Sequence, residues 1–102
     1  MKYRLLILIL IFFKINSFFS QVNASFSADI TVGCSPLVVN FTNSSTNSIS
    51  FFWDFNNGST SILNNPSATF INPGFYTIKL VANGATGSDS IISIVYFITS
   101  IN

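Results

Sequence analysis

Phe51-Phe52-Trp53-Asp54-Phe55-Asn56-Asn57-Gly58 sets large apolar side chains at 51, 53 and 55, interleaves Phe52 and Asp54, and stops at an Asn-Gly pair. A spacing of two is the period of a β-strand with one buried face. Asn-Gly is a strong short-range hairpin signal and predicts a type I′ turn. Phe51, Trp53 and Phe55 are therefore expected in a core, each burial worth roughly 1.5 to 3 kcal/mol.

The same grammar extends to both sides. Ala24 to Ala28 alternates around Phe26, and Leu37, Val39 and Phe41 alternate with Val38, Asn40 and Thr42. Gly33-Cys34-Ser35-Pro36 is expected to separate these two runs, and a polar Ser/Thr/Asn tract covers Thr42 to Ser50. Downstream, Asn64-Asn65-Pro66 breaks the chain before a brief strand at Ala68 to Phe70, and Asn72-Pro73-Gly74 turns it into Tyr76, Ile78, Leu80 and Ala82. Asn83-Gly84 to Asp89 reads as a hairpin loop. Ile91 to Thr99 reads as the most apolar strand, with Ile92, Ile94, Tyr96 and Ile98 on one side and Val95 and Phe97 on the other. No stretch after Gln21 has a helical period. About seven short strands with turn signals about every 8 to 12 residues predict an all-β, antiparallel sandwich, and a small barrel fits the same pattern.

The N-terminus has a different character. Lys2 and Arg4 precede the apolar run Leu5 to Phe13, after which Lys14, Asn16 and Ser17 restore polarity. This is the layout of a secretory signal peptide, expected over residues 1–20. As a helix the run would be about 14 Å long, roughly half the hydrocarbon thickness of a bilayer. Cleavage after Ser20 or after Ala24 both fit, the second trimming the first strand. The predicted organisation is a signal peptide at 1–20 and a β-sandwich domain at 24–99, secreted or at the cell surface, with no membrane contact after cleavage.

Charge and chemistry narrow the function classes. Of the four cations only Lys79 lies beyond the leader, against Asp29, Asp54 and Asp89, a net of −2. Nucleic acid and anionic lipid need clustered Lys/Arg, so neither is an expected partner. With no His, a single Cys and three carboxylates, the usual acid–base and nucleophile arrangements cannot be assembled. The chain is not expected to be an enzyme or to carry a cofactor. Asn23-Ala24-Ser25, Asn40-Phe41-Thr42, Asn43-Ser44-Ser45 and Asn57-Gly58-Ser59 fit the N-glycosylation pattern, as chance allows in so Asn- and Ser-rich a chain.

The order Gly33-Cys34-Ser35-Pro36-Leu37-Val38-Val39-Asn40-Phe41-Thr42-Asn43-Ser44-Ser45, then Phe52-Trp53-Asp54-Phe55-Asn56-Asn57-Gly58, then Asn65-Pro66-Ser67, then Phe70 and Pro73-Gly74-Phe75-Tyr76-Thr77-Ile78-Lys79-Leu80, resembles the PKD family. The resemblance runs from Ala24 to Thr99 and implies an immunoglobulin-like sandwich. Domains of this flavour are common in secreted and surface proteins of the Bacteroidetes. Tyr76, just past the Pro73-Gly74 corner, suits a tyrosine corner, and Gly58 and Gly74 are where positive φ is expected.

Similar domains sometimes bind calcium through acidic residues of the Trp-Asp-Phe strand and turn. Here Asn56-Asn57-Gly58 stands where the family's typical Gly-Asp-Gly would be. Asp54 is thus a weak candidate ligand, and a structural role is favoured, accepting bonds from the turn backbone or from Ser59 and Thr60. Asp89-Ser90-Ile91 looks like an O-glycosylation acceptor of Bacteroidetes secreted proteins, with Ser90 as the site; a plain polar hairpin loop is the alternative. Related domains with a Cys at position 34 often carry a second near the final hairpin, where this chain has Gly87-Ser88-Asp89-Ser90. Cys34 is therefore an unpaired thiol, expected to pack under the Gly33 turn, with an exposed linkage point as the alternative.

Two functional classes follow. The resemblance implies a structural spacer or adhesion-type module in extracellular protein interactions. The second is a module that binds carbohydrate or protein through exposed aromatics such as Phe52, Phe75 or Phe97. The chain also fits a fragment of a larger multidomain surface protein.

Overall fold

Val39, Phe41, Trp53, Phe55, Phe70, Ile78, Leu80, Val95 and Phe97 are all buried, and all but Phe55, which follows directly on its strand, come from strands that place alternate residues on one inner face. The computed structural model describes residues 21–99; the leader expected over 1–20 lies outside them. In chain order the strands are β1 (Phe26–Ala28), β2 (Val32–Cys34), β3 (Leu37–Asn43), β4 (Ser50–Asp54), β5 (Thr60–Ser61), β6 (Ser67–Phe70), β7 (Gly74–Gly84) and β8 (Gly87–Ile98). There is no helix among the described residues.

Two sheets share the core. The smaller has the order β1-β3-β6 and the larger β2-β8-β7-β4-β5. All pairings are antiparallel except β2 with β8, which is parallel. The fold is thus an all-β sandwich. Between the sheets lies an aromatic stack. The Trp53 ring sits 5.1 Å from Phe26, 5.6 Å from Phe41 and 6.0 Å from Phe55, centroid to centroid. Phe51 is only partly buried, packed against the edge of this cluster. Trp53 Nε1 donates to the Leu63 carbonyl at 2.8 Å, so the one polar atom of the buried indole is satisfied.

Three local expectations are corrected. First, the Asn-Gly pair does not make a type I′ hairpin. Residues 55–59 separate Asp54 from its partner Thr60, and positive φ falls on Asn56 (58°) and Gly58 (91°). Phe55 continues inward and is buried, so the chain closes one residue later, with Phe55 N–H donating to Ser59 O. The Asn57 side chain holds this loop by accepting from Ser59 N–H and Oγ and donating to Thr69 O of β6.

Second, residues 83–89 are not a loop. The β7–β8 ladder runs out to Gly84↔Gly87, leaving only Ala85 and Thr86 at the tip. Gly84 is where the ribbon passes closest to the neighbouring backbone: a Cβ there would collide with the Asn47 carbonyl and the Val22 side chain. Third, Gly33-Cys34 belongs to a strand, because β2 adds to the free edge of β8 through Val32↔Tyr96, Gly33↔Phe97 and Cys34↔Ile98.

The segment before β1 is built into the sandwich. Asn23 and Thr46 exchange two backbone hydrogen bonds, and buried Ala24 donates its N–H to Asp89 Oδ2 at 2.8 Å.

Candidate functional site

The corner that opens β7 is tied by local contacts. Gly74, at φ 137°, follows Pro73, and Tyr76 donates its hydroxyl to the Asn72 carbonyl at 2.7 Å while its ring packs on Phe70. This has the geometry of a tyrosine corner, and it ties the start of β7 to the turn before it and to β6.

The polar candidates are dispersed. Asp54 is exposed and its Oδ1 accepts from Asn56 N–H at 3.0 Å. Ser59 bonds Asn57 rather than Asp54, because the five-residue loop carries it away from the strand end. Asp29, just past the end of β1, binds the middle of β3, accepting from Asn40 N–H and from Asn40 Nδ2, both at 2.9 Å. Those two bonds to Asn40 hold its carboxyl below the usual carboxylate range. Asp89 is occupied by the Ala24 amide. No three His, Cys, Asp or Glu side chains come together among the described residues.

The glycosylation patterns separate on geometry. Asn40 Nδ2 donates to Asp29, Asn57 Nδ2 donates to Thr69 O, and Asn43 Nδ2 is buried with no partner. Asn23 is exposed. Ser90 is also exposed, but it lies within β8 opposite Val81 and not in a hairpin loop, because the ladder extends past it.

Cys34 is exposed and not packed under the turn. Alternation along β2 decides this. Gly33 points inward, where a Cβ would meet Leu37 Cδ2 at 2.7 Å, so Val32 and Cys34 point out. Phe97, proposed from sequence as an exposed contact, is buried against Phe70, whereas Phe52 and Phe75 are exposed.

Phe52 and Phe75 belong to a larger surface. On the outer face of the five-stranded sheet, Phe75 stacks on Tyr96 with centroids 4.3 Å apart and planes at 26°. Register places Val32 beside Tyr96, and Ile94 and Ile92 follow along β8 opposite Thr77 and Lys79. Phe52 of β4 pairs with Val81 on the same side. The outer face of the small sheet is different in kind: Val38 stands among Asn40, Thr42, Ser67 and Thr69. One side of the sandwich is an ordinary polar surface, and the other carries an apolar patch interrupted by Thr77, Lys79 and Asp54. Two shallow clefts flank the sheet ends, one of about 320 Å³ beside Asp89 and one of about 400 Å³ between Pro73 and Tyr96. The apolar sheet face is the candidate site. Sequence reasoning grouped Ile92, Ile94 and Tyr96 on one side of a strand, but nothing in their spacing said that this side faces outward.

A model of the PKD domain matches residues 21–98. Among solved structures, the PKD1 domain of Vibrio anguillarum Epp is 23% identical with a TM-score of 0.67, over 79% of this chain and 98% of that one. The PKD1 domain of the Vibrio cholerae metalloprotease PrtV is 27% identical with a TM-score of 0.63, over 74% and 95%. A structure described for the promiscuous specificity of carbohydrate-binding modules from the β-sandwich superfamily is 20% identical with a TM-score of 0.71, over 79% and 36%. No curated protein matches the chain.

Proposed function

The chain belongs to the PKD domain family, and from that premise we propose that it works outside the cell as a non-catalytic module mediating extracellular protein interactions, in a spacer or adhesion-type role. The observation that carries this reading is the apolar outer face of the five-stranded sheet. A sandwich needs one buried face per sheet, and a second apolar face on the same sheet is surplus to folding. Scattered carboxylates with local structural partners add no competing chemistry. The leader expected at 1–20 carries the chain out. Cleavage after Ser20 fits the fold better than cleavage after Ala24, whose amide is bonded to Asp89.

The test is to express the full chain with its leader and measure the intact mass and the surface-retained fraction of the exported product. A product beginning at Gln21 and held at the cell surface, with retention reduced by Ile94→Lys, is the expected result. Retention of the chain in the cytoplasm would reject the reading. A carbohydrate-binding role draws support from the stacked Phe75–Tyr96 pair. Sugars need several polar groups beside an aromatic platform, and here Val32 and Ile94 flank it with Thr77 the one polar neighbour on β7. Binding to a glycan array abolished by Phe75→Ala would favour it.

A further inference from the structure

We propose that this chain pairs with a second copy of itself by stacking the outer faces of their five-stranded sheets about a two-fold axis, with Val32, Phe52, Phe75, Ile92, Ile94 and Tyr96 at the contact. This deepens the interaction-module reading and rests on it. The exposed fractions are large for apolar residues inside a regular sheet: 72% for Phe75, 64% for Val32 and 59% for both Ile92 and Ile94. At about 200 Å² for a whole aromatic residue, the six expose on the order of 600 Å² together, the upper end of what a monomer leaves uncovered. With Thr77 and Lys79 of the central strand β7, which stand between β8 and β4 within the patch, the face reaches about the 800 Å² that each partner contributes to a standard interface.

The charges on this face point to a second copy as the occupant. Lys79 and Asp54 are register partners there, one of each sign. In a two-fold contact the same patch meets itself, so a face bearing one cation and one anion can oppose each to its counterpart on the other copy. Two sheet faces also mate without rearrangement, since they stack about 10 Å apart with side chains interdigitated. The small sheet offers no such surface, because Asn40, Thr42, Ser67 and Thr69 dominate its outer side.

The experiment is sedimentation velocity of the exported full chain from about 1 to about 200 µM, a range bracketing micromolar association, in reductant so that Cys34 makes no covalent link. Wild type is expected to pass from monomer to dimer. Phe75→Asp and Ile94→Lys, both on exposed positions, are expected to raise the dissociation constant at least about 30-fold while leaving the urea midpoint in place. A wild type that stays monomeric throughout overturns the proposal, as does a dimer that survives both substitutions or forms only without reductant. A monomer still held at the cell surface overturns the dimer and leaves the module reading standing; a cytoplasmic dimer does the reverse.

Discussion

Trp53→Ala should remove a large part of the fold's stability. The indole is completely buried, it is in ring contact with Phe26, Phe41 and Phe55, and its Nε1 satisfies the Leu63 carbonyl. Truncating such a residue to Ala costs about 3 to 5 kcal/mol in transfer and cavity terms. A folded unit of about 80 residues has only about 4 to 12 kcal/mol to lose. The substitution therefore removes a large part of the total. With a urea m-value of about 1 to 1.5 kcal/mol per M for this size, the midpoint should fall by about 2 to 5 M. Far-ultraviolet circular dichroism is the suitable probe, because the chain has no other Trp. Trp53→Phe keeps the ring but leaves the Leu63 carbonyl without its donor, and should cost about 1 to 3 kcal/mol. A Trp53→Ala midpoint within about 0.5 M of wild type would refute the assignment of Trp53 as the centre of the core.

Tyr76→Phe removes the bond to Asn72 and should cost about 0.5 to 1.5 kcal/mol by urea titration; no measurable loss would mean the corner is held by ring packing alone. Asp29 has its carboxyl pKa lowered by Asn40, so its ionised form adds stability above the ordinary Asp value of about 3.9, lost as pH falls through the lower folded value. The stability gap between wild type and Asp29→Asn should therefore be constant above about pH 5 and shrink on further acidification; a gap that widens in acid contradicts this sign. Thermal midpoints in chelator and in millimolar calcium should agree, and a calcium-dependent rise of several degrees would make Asp54 a ligand.

How far the fold could be read from the residues depended on how unlike the two faces of each strand are. In β3 the inner positions carry Leu37, Val39 and Phe41 and two of the three outer ones Asn40 and Thr42, so period two and orientation are both legible, whereas in β4 Phe52 on the outside blurs the contrast that Trp53 and Asp54 set. The turns were harder, because a local signal competes with tertiary burial. Asn57-Gly58 favours a two-residue turn, but burying Phe55 and tying Asn57 to Thr69 on β6 together stabilise a longer loop. The β7–β8 ribbon outran its reading for another reason. Ladder pairing is made by backbone groups, so Ser88, Asp89 and Ser90 continue a strand that their composition disguises as a loop.

β8 is the case in which the sequence could not decide and the structure adds most. Apolar residues stand on both of its sides, so alternation alone leaves Phe97 and Tyr96 equally eligible for the core. Registration against β7 breaks the tie, placing Phe97 with Gly74 and Val95 with Tyr76 on the inner face and turning Ile92, Ile94 and Tyr96 outward. An antiparallel strand with one side in water ordinarily alternates apolar with polar. β8 departs from that rule over the stretch where Phe75 and Val32 flank it, whereas the outer positions near the hairpin tip, Ser88 and Ser90, obey it. The departure is confined to one contiguous patch, as expected if that patch is covered in the working protein and the tip is not.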